Sequence, residues 1–71
     1  MKYNIDEIAF RQVFQVLLNE LLLEKNISKY KLAKDLNIAY NQVKSWTSGE
    51  RLPSLYHFYK LQNYFNYKFT L

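Results

Sequence analysis

The sequence predicts an all-α fold: four helices, the first extended, followed by a short C-terminal tail with the alternation of a β-strand. Three observations carry this. Apolar residues recur at i, i+3 and i+4 through residues 10–21 instead of alternating. Asn and Ser suited to start helices, and Asn and Gly suited to stop them, divide the chain into segments of helical length. A single Gly and a single Pro leave few places for long loops.

The first helix starts behind Asn4, with Glu7 three residues later completing a capping box and Tyr3 and Ile8 placed for a hydrophobic staple. Nothing interrupts it from Ile5 to Lys25, a length of roughly 30 Å, and Asn26 suits a left-handed stop. Phe10, Val13, Phe14, Leu17, Leu18 and Leu21 form the stripe expected to face the core. Ile5, Ala9, Val16 and Leu23 form a second apolar line, which the rest of the chain or another copy must cover.

A short second helix spans about residues 29–36, with Ser28 as N-cap, Leu32 and Leu36 one turn apart, and Asn37 as its stop. Ile38 plugs the turn that follows. The third helix runs from Tyr40 to Ser48, with Val43 and Trp46 inside and Gly49 as its C-terminal cap. After the loop Ser-Gly-Glu-Arg-Leu-Pro, Ser54 starts a fourth helix that packs through Leu55, Phe58, Leu61 and Phe65. In the tail, Tyr67, Phe69 and Leu71 alternate with Lys68 and Thr70, the period of a strand.

Composition removes several function classes. Residues 1–71 are read as one domain with a modest core. There is no Cys and His57 is the only His, so disulfides and thiolate or His-rich metal sites are excluded, and no motif asks for a cofactor or a small-molecule ligand. The start, MKYNIDEIAF, lacks the apolar run of a signal peptide, and no window approaches 18 apolar residues. The expectation is a cytoplasmic protein with no membrane partner. Asn, Lys, Ile, Tyr and Phe, whose codons are A/T-rich, supply 31 of the 71 residues, which suggests a low-GC bacterium or its phage as the source.

Charge is unevenly spread. Residues 1–24 hold two bases against four acids, a net −2, whereas residues 25–71 hold eight bases against Asp35 and Glu50, a net +6. A basic C-terminal two-thirds points to a polyanionic partner, against the plainer reading of solvated lysines.

A short capped helix, a tight turn with an internal Ile, and a second short helix ending at Gly make a helix-turn-helix over residues 28–48. The run LAKDLNIAYNQVKSWTSGERLPS resembles the Cro/lambda-repressor-type (XRE-like) helix-turn-helix family. Leu32-Ala33, Leu36-Asn37-Ile38, Val43, Trp46, Gly49 and Pro53-Ser54 match its pattern in order and spacing, within a resemblance covering about residues 14–67. Each has a physical reason as scaffold. Ala33 is small where the helices cross, Ile38 and Val43 fill the wedge, and Trp46 anchors the far end of the second helix.

The resemblance implies that the third helix of the chain enters the DNA major groove. Base reading then falls to Tyr40, Asn41, Gln42, Lys44 and Ser45. Their chemistry agrees: Asn or Gln can bond an adenine edge, Lys can bond guanine, and a Tyr ring can pack on a thymine methyl. The plainer reading is a solvated polar helix face. Phosphate contacts fall to Lys29, at the head of its helix, and to Ser48 and Arg51, which flank Gly49 and where the family also places backbone contacts.

Three departures from the family pattern stand out. Ala39 replaces the usual Ser or Thr cap before the reading helix. Leu22 and Thr47 stand where many members pair an Arg with a Glu, so both charges are lost together and none is orphaned. Six residues after Phe65 leave no space for the family's fifth helix.

Family members bind two-fold operators as dimers, which makes double-stranded DNA and a second copy of the chain the expected partners. Candidate dimer surfaces are the Ile5/Ala9/Val16/Leu23 line and the Tyr67–Leu71 edge, including Phe69. The alternative is that the tail folds over that line within one subunit. The length leaves no space for an effector domain, and His57, expected at the surface, joins no nucleophile–base motif, so the chain is not read as an enzyme. The resulting expectation is a small Cro-like transcriptional regulator, a repressor of phage or mobile-element type. The competing one is a protein-docking module such as an antitoxin or adaptor subunit, for which the 13 aromatic residues would supply surface.

Overall fold

The computed structural model describes residues 7–68, which fold into four helices. These are α1 (Glu7–Lys25), α2 (Lys29–Leu36), α3 (Tyr40–Thr47) and α4 (Leu55–Phe65). The all-α expectation holds: α2 and α4 start behind their expected Ser caps, and α3 ends at Thr47, one residue before the expected Ser48. The expected start of α1 behind Asn4, with Tyr3 and Ile5, lies outside the described residues.

The stops work through backbone geometry. Asn26, Asn37 and Asn66 take left-handed φ values of 58°, 58° and 52°, a conformation that Asn tolerates better than other residues with a side chain. The stop at Asn66 goes beyond the two read from the sequence. Ser28 Oγ accepts the Lys31 amide at 3.0 Å and Ser54 Oγ accepts the His57 amide at 3.2 Å, each satisfying a donor that its helix leaves unpaired. Ala39 sits at the N-cap of α3 with extended backbone and gives no side-chain cap.

The core gathers Phe14, Leu18, Leu32, Val43 and Leu61, all fully buried, and closes with Leu21, Leu22, Ala33, Leu36, Trp46 and Phe65. On α1 the buried stripe is therefore Phe14, Leu18, Leu21 and Leu22, with Leu17 packed at its edge and Phe10 half-buried. Val13, expected inside, is 52% exposed. At 3.6 residues per turn it lies more than a quarter-turn from the centre of that stripe. It lines an open groove with Ala9, Val16, Leu17 and Tyr67. Leu55, also expected to pack, is 87% exposed, because α4 turns in only from Phe58 onward through Leu61 and Phe65.

Leu22 and Thr47 are both buried, and Thr47 Oγ1 donates to the Val43 carbonyl at 3.0 Å. The site thus holds an apolar and a satisfied hydroxyl side chain. Two contacts tie α4 to α2: Lys60 Nζ donates to the Leu36 carbonyl at 2.8 Å, and Tyr64 OH donates to Asp35 Oδ2 at 2.6 Å. The ammonium meets α2 at its C-terminus, the end at which the helix dipole favours a cation. Of the expected strand, Tyr67 and Lys68 are described and neither is in a strand, while Phe69, Thr70 and Leu71 lie outside the described residues.

Candidate nucleic-acid interface

Helix α3 is buried on one side and polar on the other. Val43, Trp46 and Thr47 point inward, and Asn41, Gln42 and Lys44 are exposed. The helix is short, so its orientation is set from behind, by Ile38 in the turn and by Val43 and Trp46 in the core.

The other two residues assigned to reading are more constrained. Ser45 is half-buried and its Oγ donates to the Gln42 carbonyl at 2.8 Å, leaving oxygen lone pairs as its outward function. Tyr40 packs against the core edge and stacks on Tyr30, with centroids 4.5 Å apart and planes 22° from parallel. Tyr30, on α2 and 72% exposed, was not singled out by the sequence reading. Only the proximity of the two helices brings the rings together.

Lys29, Ser48 and Arg51 are all exposed, the first at the head of α2 and the other two in the turn after α3. The amides of that turn are already paired within the chain. The amides of Ser48, Gly49, Glu50 and Arg51 donate to the carbonyls of Lys44, Trp46, Ser45 and Ser45, at 3.0, 3.4, 3.0 and 3.2 Å. They close the C-terminus of α3 and are not offered to an anion. Ser48 Oγ likewise donates to the Ser45 carbonyl at 3.1 Å. The Arg51 guanidinium is the exposed cation of this turn.

A polar line on α1 meets the same turn. Asn19 Nδ2 donates to the Thr47 carbonyl at 3.0 Å and to Gln15 O at 2.8 Å, and Arg11 NH1 donates to the Glu50 carbonyl at 2.7 Å. Gln15 lies between them: a β-carbon on Gly49 would fall 2.6 Å from its Oε1. Arg11, Gln15 and Asn19 are spaced i, i+4, i+8, a polar row along one line of α1, and that spacing was the available signal.

His57 is half-buried, where an exposed ring was expected. Its ring lies 5.6 Å from that of Trp46 and its Nδ1 is 3.1 Å from Ser54 Oγ, which makes it part of the start of α4. Among the described residues no group of three His, Cys, Asp or Glu could hold a metal ion, and no helix is long and apolar enough to cross a membrane.

A helix-turn-helix family model matches residues 18–71. The chain belongs to the XRE-type helix-turn-helix family, that of Cro and lambda repressor. This is a family of DNA-binding domains of transcription regulators and not a catalytic one. No curated protein and no solved structure matches the chain. Within the XRE-type domain, α2 and α3 are the helix-turn-helix pair, and double-stranded DNA is the partner the family implies. Arg11 and Gln15 precede the matched residues, so their grip on the turn after α3 belongs to the part of α1 that the family model does not cover.

Proposed function

We propose that this protein binds double-stranded DNA sequence-specifically, with α3 in the major groove, and acts as a small Cro-like repressor of a phage or mobile element in the bacterial cytoplasm. The observation that carries the reading is the exposed Asn41/Gln42/Lys44 face on a helix whose opposite side is locked in the core. Asn41 and Gln42 offer paired donor and acceptor atoms to adenine, and Lys44 offers a cation to guanine O6 and N7. Tyr40 and Ser45 flank them, the Tyr ring for a thymine methyl and the Ser oxygen as an acceptor. Lys29 and Arg51, with Ser48, hold phosphates on either side and set the register. Residues 1–71 act as one domain.

The protein works as a homodimer on a two-fold operator with half-sites about 10 bp apart. The Ala9/Val16/Leu23 line supports this, since Val16 and Leu23 are 55% and 83% exposed. Ile5 of that line lies outside the described residues, as do Phe69 and Leu71 of the alternative surface, the Tyr67–Leu71 edge. Tyr67 of that edge is 41% exposed beside Val13 and Val16.

Substitution tests the division of labour. Asn41→Ala is expected to cost about 1–3 kcal/mol on the preferred duplex and to relax one base position, whereas Lys29→Ala weakens all sequences alike. Equal and negligible effects would favour a protein-docking module. The observation on that side is the exposed Leu55, Tyr56 and Tyr59 on α4.

A further inference from the structure

The peptide unit that joins Glu50 to Arg51 is held from two sides. Its N–H donates to the Ser45 carbonyl of α3 at 3.2 Å, and its C=O accepts from Arg11 NH1 of α1 at 2.7 Å. Arg51 is the turn's exposed cation, and this peptide fixes the backbone from which its side chain starts.

Arg11 is not needed to close the turn. Four consecutive amides already return to α3 carbonyls. What Arg11 adds is a charge-assisted bond from a second helix, 39 positions away in sequence, to the one carbonyl next to Arg51. Arg11 Nε is buried and meets no hydrogen-bond partner among the described residues, so the bond from NH1 to the Glu50 carbonyl is the polar contact that places the guanidinium. Gln15, which lies against Gly49, and Asn19, which donates to the Thr47 carbonyl at the end of α3, continue the same row.

We propose that Arg11 is a positioning residue for DNA binding: by fixing the Glu50–Arg51 peptide, it aims Arg51 at a backbone phosphate. It makes no DNA contact itself. The inference rests on the functional reading above and extends it to the part of α1 outside the family match. It predicts that Arg11 matters only through Arg51.

The test is a double-mutant cycle on the full chain with Arg11→Ala, Arg51→Ala and the pair. Affinity is read by anisotropy for one fixed duplex of about 24 base pairs, from about 50 to 200 mM salt. Thermal unfolding checks that each variant folds. Arg11→Ala is expected to weaken binding about tenfold with Arg51 present and less than about twofold once Arg51 is Ala, and to lower the salt slope by about one contact. An equal loss in both backgrounds would mean that Arg11 contributes its own charge, and would overturn the proposal. Hydrogen exchange without DNA gives a second readout. Arg11→Ala should speed exchange at the Arg51 amide while leaving the amides of α2 protected; unchanged exchange would overturn the proposal even if binding falls. If the unsubstituted protein bound no duplex, the functional reading and the DNA role of Arg11 would both be overturned. Exchange would still show whether Arg11 holds the turn.

Discussion

At Gly49 both the backbone and a neighbouring side chain disfavour a β-carbon. Its φ of +84° lies in the left-handed region, and a β-carbon there would approach Gln15 Oε1 to 2.6 Å. The far end of Gln15 can move aside, so the backbone term dominates. Gly49→Ala should destabilise the fold by about 1 kcal/mol in a urea titration, and an unchanged midpoint would contradict this. The Tyr64–Asp35 bond makes a prediction about pH. The hydrogen bonds from Tyr64 and Lys31 hold the Asp35 carboxyl below its usual 3.8. Burial, then the bond to Asp35, pushes the Tyr64 phenol from 10.0 up to about 12. A carboxyl that binds its proton less readily when folded stabilises above the ordinary value and loses this as pH falls through the lower, folded one. The raised phenol acts in reverse: its contribution is complete below pH 10 and disappears as pH rises through about 12. Tyr64→Phe should therefore flatten the pH dependence of stability at both ends, as measured by denaturation at acidic, neutral and alkaline pH. Gly49 was legible in the sequence because a lone Gly behind an amphipathic run is a local signal. Tyr30 and Tyr64 were not, because their partners lie on other helices, and for Arg11 the spacing of its polar row marks the face but not its partner in the turn after α3, which only tertiary packing brings near.

Helices proved more legible than the faces they bury. Capping and stop chemistry acts within four residues, so Ser28, Asn37 and Ser54 mark their boundaries directly. Which apolar residues face inward depends on the neighbours. Val13 fits the helical rhythm of α1 but has only the open groove beside it, and Leu55 fits α4 but leaves the loop before that helix turns inward. The uncapped start of α3 gives the clearest prediction at this scale. Ala39 already has the extended backbone of a cap, at φ −69° and ψ 140°. Ala39→Ser should then satisfy one exposed amide of α3 and raise stability by roughly 1 kcal/mol. No gain in thermal stability would mean that water already serves those amides as well.

The whole molecule divides into a mildly acidic start and a basic remainder of net +6, and α2 and α3, the pair that carries the family resemblance, lie on that basic part. What the sequence left open is the second apolar line of α1. Its exposed Val16 and Leu23 are the surface assigned to the homodimer. Val16→Glu is expected to shift sedimentation towards the monomer and to weaken operator binding without unfolding the chain. A concentration-independent monomer in the unsubstituted protein would remove the dimer from the account. The central claim is that α3 reads bases, and selection from a randomised duplex pool of about 24 base pairs tests it most directly. The account predicts enrichment of a two-fold motif with half-sites about 10 bp apart. Retention without any enriched sequence, or no retention at low salt, would contradict it.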